Sequence, residues 1–300
     1  MPAHDGRYAP SPSGPLHLGN LRTALLAWLF ARSHGARFLL RIEDLDPERS
    51  RREHEARARE DLIALGLDWD LEAPRQSSRA ERYREAFEAL RAVGRVYPCW
   101  CTRAEIRAAA SAPHAPAGVY PGTCRRLGAG ERAAREAAGA PTAWRLDAGG
   151  ETVAFNDALH GAHQAPVDDF VLWRADGVAA YNLAVVVDDA DQGVGEVVRG
   201  EDLLETTPRQ VLLARLLGLP APDYVHVPLV LGRDGARLAK RHGAVTLADL
   251  LARGESVAGL VGWMAFSAGL RESDAPVQAG DLLADFAPER LAREPALLVG

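Results

Sequence analysis

Gly6-Arg7-Tyr8-Ala9-Pro10-Ser11-Pro12-Ser13-Gly14-Pro15-Leu16-His17-Leu18-Gly19-Asn20 is the stretch whose reading decides the fold. Gly6 to Ala9 reads as a short strand and the Pro/Ser/Gly run as a loop. Leu18 to His34 then reads as a helix with Leu18, Leu21, Leu25 and Leu29 on one face, ended by Gly35. Ala36 to Ile42 has the weak alternation of a buried parallel strand. Asp46-Pro47 predicts a helix start with proline at its first position. Ser78 with Glu81 predicts a capping box, opening a helix that turns Tyr83, Phe87 and Leu90 inward. Strand and helix therefore alternate up to about residue 95, the pattern of an α/β sheet.

Working outward, the middle of the chain differs. From Tyr97 to about Gly150 it is rich in Gly, Pro, Ala and Arg and holds every cysteine, which marks an insertion. Strand patterns resume at Ala179 to Val187 and Glu196 to Val198, followed by a helix over Pro208 to Leu217 and a strand over Tyr224 to Leu231. From about Thr246 the chain reads as mostly helical, with Leu247, Leu250 and Leu251, then Val257 to Ala268. The expected division is residues 1–96 for the first half of a Rossmann-type catalytic domain and 97–165 for the insertion. Residues 166–243 complete the domain, and 244–300 form a helical C-terminal region.

Composition limits the function classes. Three hundred residues, 47% hydrophobic, suffice for a full core. No apolar run approaches the roughly 20 residues that span a bilayer, and Met1 to Tyr8 lacks the apolar core of a signal peptide. A cytoplasmic protein with no membrane partner is expected, as a monomer. The net charge of −6 excludes a general nucleic-acid glue, though not a local basic face. Arginines cluster at Arg49, Arg51, Arg52, Arg57 and Arg59, and again at Arg125, Arg126, Arg132 and Arg135, with acidic residues interleaved as on a solvated helix face.

Lys240 is the only lysine among 35 Lys and Arg residues. An ammonium is a compact, mobile point charge where a guanidinium is a planar fork. Such a cation suits the moving charge of a phosphoryl or nucleotidyl transfer. It sits in Arg237-Leu238-Ala239-Lys240-Arg241, after the turn Gly232-Arg233-Asp234-Gly235. His17, Gly19 and Asn20 lie where a strand gives way to a helix N-terminus, whose free N–H groups and dipole favour phosphate. No G-x-x-x-x-G-K-[ST] loop is present, which excludes a P-loop enzyme. Cys99, Cys101 and Cys124 fall within 26 residues, and three clustered thiols point to a zinc site that needs a fourth ligand. His114 is a chemically ordinary candidate for that ligand.

Taken together these motifs resemble class I aminoacyl-tRNA synthetases. His17-Leu18-Gly19-Asn20 resembles their HIGH signature, with Asn20 in place of the second histidine. Arg237 to Arg241 resembles the KMSKS loop, with Lys240 at its second lysine. Arg237, Ala239 and Arg241 depart from the pattern but leave the loop cationic. The opening Gly6 to Gly14, Arg41-Ile42-Glu43-Asp44-Leu45-Asp46, and Tyr181 to Asp189 running on to Arg199-Gly200-Glu201-Asp202 are similar to glutamyl- and glutaminyl-type enzymes. Leu203-Leu204-Glu205-Thr206-Thr207-Pro208-Arg209-Gln210 and the cysteine layout most resemble the glutamyl-queuosine tRNA(Asp) synthetases, a shortened family without an anticodon-binding domain. Only 60 residues follow Lys240 here.

The resemblance implies a class I Rossmann-type parallel sheet, split by a zinc-bearing insertion and followed by a short helical region. It implies tRNA-independent activation of L-glutamate by ATP, with Mg²⁺ accompanying ATP, and transfer to queuosine in tRNA(Asp). His17 and Lys240 would be catalytic, and His17, Gly19, Asn20, Arg237 and Lys240 would bind ATP. The segment Arg7, Tyr8, Ala9, Pro10 and Ser11, with Glu43, Tyr181 and Arg199, would bind glutamate. A carboxylate wants an arginine fork, so Arg7 and Arg199 are expected to face carboxylates, Glu43 the ammonium, and Tyr181 to add a hydrogen bond. The family's pattern supplies Tyr120 as ligand beside Cys99, Cys101 and Cys124 for one structural zinc. The competing readings are glutamylation of the tRNA 3′ end, a catalytically dead tRNA-binding paralogue, and another nucleotidyltransferase.

Overall fold

Residues 4–102, 104–106, 120–238 and 245–298 are described by a computed structural model. The elements of the first half are β1 (Gly6–Tyr8), α1 (Leu18–Ser33), β2 (Phe38–Leu40), α2 (Arg52–Ala64), β3 (Leu71–Glu72) and α3 (Ala80–Ala92). The middle contributes β4 (Val96–Cys99), α4 (Ala129–Ala137), β5 (Ala143–Leu146), the hairpin β6 (Thr152–Asp157) and β7 (Gly161–Pro166), and β8 (Val171–Trp173). Then follow α5 (Tyr181–Asp191), β9 (Glu196–Gly200), α6 (Thr207–Leu217), β10 (Asp223–Val227), β11 (Val230–Leu231), α7 (Leu247–Ala252), α8 (Val257–Ser267) and β12 (Ala296–Leu297).

The strands of the catalytic sheet are parallel except for β7 at its edge. β1 pairs with β2, and β2 with β3. β10 lies between β9 and β6 and is parallel to both. The two groups meet where the N–H groups of Gly195 and Glu196 donate to the Asp5 carbonyl at 2.9 and 3.3 Å. α1 covers this seam. It buries twelve of its sixteen residues, from Leu18 through Ala31, against β1 and β9. The insertion is not wholly separate. β4, β5 and β8 form their own antiparallel sheet, but the β6–β7 hairpin extends the catalytic sheet through Tyr224 and Asp157.

Four local expectations are corrected. Ala179–Val187 is not a strand: Ala180 is extended, and Tyr181–Asp191 is helical with Leu183 through Asp189 all buried. A helix buried all round shows no periodicity, so its Val185-Val186-Val187 run reads as strand from sequence. Asp46-Pro47 does not begin a helix. The Asp46 carboxylate accepts from the N–H groups of Glu48 and Arg49 in a turn, and α2 starts at Arg52. Ser78 and Glu81 make no capping box, because the Ser78 hydroxyl donates to the Arg75 carbonyl instead. The C-terminal region is helical at α7 and α8, where the sequence pattern lies, but after Ser267 the described chain has only short 3₁₀ turns and β12, so it is not helical throughout. The Tyr224–Leu231 strand is present but broken at Pro228, which cannot donate to a ladder.

The halves are also joined by buried charge. Arg41, fully buried after β2, donates from Nη1 to Asp189 at 2.7 Å and from Nη2 to Glu43 at 3.1 Å, and its Nε lies 3.9 Å from Asp188. Asp188 also accepts from Gln76, Arg79 and the Tyr83 hydroxyl, at 2.7 to 3.0 Å. Burial pushes the Asp188 and Glu43 carboxyls above their ordinary range, with Arg41 pulling against it. For Asp189 burial pushes up as well, but Arg41 and Arg7 outweigh it and hold the carboxyl below that range. Arg41→Leu removes the shared cation, leaves Glu43 without its ion pair, and leaves Asp188 and Asp189 with one arginine each, a loss on the order of 3–5 kcal/mol. Without Arg41 the folded-state pKa values of Asp188 and Glu43 rise further above their unfolded values, and that of Asp189 rises from below its own. The destabilisation is therefore full at neutral pH and shrinks as pH falls and the acids take up protons. Urea unfolding of both proteins between pH 5 and pH 8 checks this; an equal loss at both ends would contradict it.

Candidate active site

A cleft of about 550 Å³ opens where Tyr8 ends β1 and Gly200 ends β9. β2 and β3 lie to one side of this point and β10 and β6 to the other. In open α/β sheets such a switch point leaves a crevice at the strand ends, where ligands bind. The loop from Ala9 to Leu16 forms one wall, and Arg199, Gly200 and Asp202 form the facing wall.

The cleft brings together every described residue that the sequence assigned to glutamate or ATP. Arg7, Tyr8, Ala9, Pro10, Ser11, Glu43, Tyr181 and Arg199 line it, and so do His17, Gly19, Asn20 and Arg237. Lys240, with Ala239 and Arg241, lies outside the described residues, as does His114. The chain on either side of Lys240 is held at the cleft. Arg237 pairs with Asp202 at 3.0 Å, and the Val245 carbonyl accepts from the Leu18 N–H at 2.7 Å.

His17 is the N-cap of α1. Its Nδ1 accepts from the Asn20 N–H at 3.2 Å, and the Asn20 side chain accepts from the His17 N–H at 3.1 Å. Asn20 thus has a structural role that the signature alone does not assign it, closing a reciprocal cap. Burial lowers the His17 pKa, so the imidazole is neutral, and with Nδ1 accepting, the proton sits on Nε2. Gly19 makes room for this ring: a Cβ there would lie 3.1 Å from His17 Nδ1 and 3.3 Å from Val230. The close approach at Gly19 is therefore to the protein's own histidine.

The two arginines of the glutamate set differ. Arg7, buried, donates to Asp189 at 3.3 Å and to the Val198 carbonyl at 3.5 Å. Arg199, also buried, has no carboxylate within 4.0 Å among the described residues. It donates to His226 Nε2 at 3.0 Å, Gln210 Oε1 at 2.8 Å and Thr207 Oγ1 at 2.7 Å. A buried guanidinium held only by neutral acceptors keeps its charge for a ligand. Glu43, with a side chain only 7% exposed, is oriented by Arg41. Tyr181 keeps 38% of its surface open on the cleft wall. The sequence reading missed the residues behind this wall, Arg41, Asp189, His226 and Asp157. Arg41 and Asp189 stood inside the quoted motifs, but their partners are distant in the chain.

The three thiols of the insertion converge. Cys101 Sγ lies 3.4 Å from Cys124 Sγ, and Tyr120 Oη lies 3.4 Å from Cys99 Sγ and 3.6 Å from Cys101 Sγ. Metal–sulfur bonds of about 2.3 Å and a metal–oxygen bond of about 2.0 Å set tetrahedral edges of roughly 3.5–3.8 Å, so the group is near the size of a four-ligand site. Arg145 donates to Cys99 Sγ at 3.2 Å and lies over the Tyr120 ring, a cation placed to balance thiolate charge. Burial pushes the Cys101 thiol up to about 12 in the absence of a metal.

Among the described residues no helix is long and apolar enough to cross a membrane. Residues 5–259 match the family described as tRNA synthetases class I (E and Q), catalytic domain. The chain is 59% identical over 293 residues to the glutamyl-Q tRNA(Asp) synthetase of Nocardia farcinica, covering 98% of this chain and 92% of that protein. It is 53% identical over 305 residues to the enzyme of the same name from Symbiobacterium thermophilum, covering 97% and 94%. The crystal structure of glutamate-tRNA synthetase from Elizabethkingia anophelis superposes with a TM-score of 0.86 at 27% identity, over 99% of this chain and 68% of that one. With the parallel sheet, the switch-point cleft and the capped His17 helix, these likenesses show that the chain belongs to the class I tRNA synthetases of the E and Q type, a family that acts on ATP and tRNA.

Proposed function

We propose that the protein activates L-glutamate with ATP and transfers it to the cyclopentenediol ring of queuosine in the anticodon loop of tRNA(Asp). The observation that carries the first step is the cleft itself. With Arg237 and Asp202 paired to each other, the guanidiniums of Arg7 and Arg199 and the carboxylate of Glu43 lie in it beside a helix N-terminus whose histidine bears its proton on Nε2. Glutamate has two carboxylates and one ammonium. Arg7 and Arg199 meet the carboxylates, Glu43 the ammonium, and Tyr181 adds a hydrogen bond. The α-carboxylate oxygen attacks the α-phosphorus, the bond to the β-phosphate oxygen breaks, and pyrophosphate leaves. His17 and Lys240 stabilise the charge that shifts onto the phosphates, with Gly19, Asn20 and Arg237 around the nucleotide and Mg²⁺ accompanying it.

In the second step a queuosine hydroxyl oxygen attacks the adenylate carbonyl carbon. It loses its proton, and AMP departs with the bonding pair. The queuosine target is supported by the names of relatives 59% and 53% identical over nearly the whole chain. Single-stranded loops are also the usual object of sequence-specific RNA readers. Such substrates place the enzyme in the cytoplasm. Cys99, Cys101, Tyr120 and Cys124 fit one zinc ion, which would pin a segment whose core, among the described residues, is five buried side chains. Residues 97–165 are read as the insertion carrying it.

Radiolabelled glutamate, offered with ATP and tRNA from queuosine-containing and queuosine-lacking cells, should label only the first. Equal labelling would mean 3′-end charging, and no labelling would favour a binding paralogue. His17→Asn separates the cap from the chemistry. Asparagine is a strong N-cap, so the melting temperature should hold within a few degrees. Glutamate-dependent ATP–pyrophosphate exchange should fall about 100-fold, as for loss of one donor to a developing charge. Unchanged exchange would remove His17 from the mechanism.

A further inference from the structure

Behind Arg199 lies a chain of buried groups, His226 and Asp157, that do not line the cleft. His226, on β10 and fully buried, accepts from Arg199 Nε at its own Nε2, 3.0 Å away. Its Nδ1 lies 2.7 Å from Asp157 Oδ2, and the same oxygen accepts the His226 backbone N–H at 3.0 Å. Asp157, on β6 and 1% exposed, also accepts from the N–H groups of Leu159 and His160, both at 3.0 Å. Burial pushes the Asp157 carboxyl up, but the His226 hydrogen bond and these N–H groups outweigh it and hold it below its ordinary range. Burial lowers His226, more than Asp157 raises it. An ionised Asp157 beside a neutral His226 fixes the tautomer: Nδ1 carries the proton and Nε2 the lone pair.

We propose that Asp157 and His226 are positioning residues for amino-acid recognition, holding the Arg199 fork in place while keeping a negative charge out of direct contact with it. The inference rests on the reading that Arg199 meets a carboxylate of glutamate. A carboxylate bonded directly to Arg199 would occupy its donors and neutralise it, competing with the substrate. An imidazole between them orients the guanidinium without taking its charge, much as an outer-shell carboxylate orients a histidine ligand on a metal. Gln210 and Thr207 are likewise neutral acceptors on the remaining side. The relay also ties the β6–β7 hairpin to the site, because the carboxylate that sets the tautomer comes from the middle of the chain, 69 residues from the histidine.

The test is the glutamate and ATP dependence of ATP–pyrophosphate exchange. Asp157→Asn puts an amide opposite Nδ1, which can turn the imidazole so that an Nε2 proton faces the Arg199 proton. The KM for glutamate should rise about tenfold or more, as expected for losing a hydrogen bond to a charged group, with the KM for ATP within about twofold. His226→Gln keeps an acceptor for Arg199 and a donor for Asp157, and should stay within about threefold of the starting glutamate KM. In the H226Q background D157N should then add little, since no tautomer remains to be set. Gln210→Glu makes the complementary change: it exchanges the Gln210 Nε2 hydrogen bond to Asn182 for a direct ion pair with Arg199, and should raise the glutamate KM.

Arg199→Ala should abolish glutamate-dependent exchange. If it does so while D157N leaves the glutamate KM unchanged, or if D157N acts equally in both backgrounds, the relay is wrong and the site reading stands. If Q210E binds glutamate as before, the charge argument is wrong. If the unaltered protein shows no glutamate-dependent exchange, the site reading has failed and the relay falls with it.

Discussion

The structure depends on how one buried cation, Arg41, is shared among three acids. Asp188 and Asp189 stand side by side in the last turn of α5, where the helix dipole opposes negative charge. Neither could remain ionised there alone. Arg41 reaches both from the end of β2, Arg7 reaches Asp189 from β1, and Arg79 reaches Asp188 from just before α3. Each of these cations belongs to the first half of the catalytic sheet, and both acids to the second. The insertion lies between the halves, and Arg79 and Asp188 are 109 residues apart in the chain, so the electrostatics of this hub selects the pairing. Its geometry also orients Glu43 and Arg7 towards the cleft, which makes the fold and the amino-acid site one problem of charge placement.

Much of the frame was legible because it rests on local chemistry. The strand, Pro/Ser/Gly loop and helix of residues 6–34 announce themselves by turn residues and by a leucine stripe, and they place His17 at a helix N-terminus. α3 was legible through Tyr83, Phe87 and Leu90 although its cap was misread. α5 was not legible. Leu183 through Asp189 is buried on every side, and its valines favour strand wherever packing does not decide. Here packing decides: the helix must present Asp188 and Asp189 together at one end, which a strand would send to opposite faces.

The site was legible in its front row and not behind it. Arg7, Glu43, Tyr181 and Arg199 come from four separate segments, and only the family resemblance joined them before the cleft did. His226 sits in Tyr224-Val225-His226-Val227, where it reads as one polar residue in a strand, and Asp157 sits in a segment assigned to the insertion. Neither carries a local signal, because what they do is defined by a partner far along the chain. A polar residue in an otherwise apolar strand is the clue that sequence offers, and it does not name the partner. The same holds for Asn20: read as a departure from a signature, it completes the cap on His17.

The distribution of charge in the cleft carries the argument for selectivity. On the proposed reading Arg41 offsets Asp189, so Arg7 and Arg199 stand against Glu43 with one positive charge in excess, the complement of glutamate's net negative charge. Glutamine would fit the same volume but lacks the second carboxylate. Its amide would leave a desolvated guanidinium without a counter-charge, and that penalty, more than any lost contact, rejects it. The discrimination requires that the protein itself not supply the missing charge. Arg199 meets that condition: a histidine, a glutamine and a threonine hold it, and the nearest acid in that chain of bonds is Asp157, one imidazole away. A site that anchored Arg199 directly on an acid would be firmer and less selective, because the counter-charge would be present whether or not glutamate was.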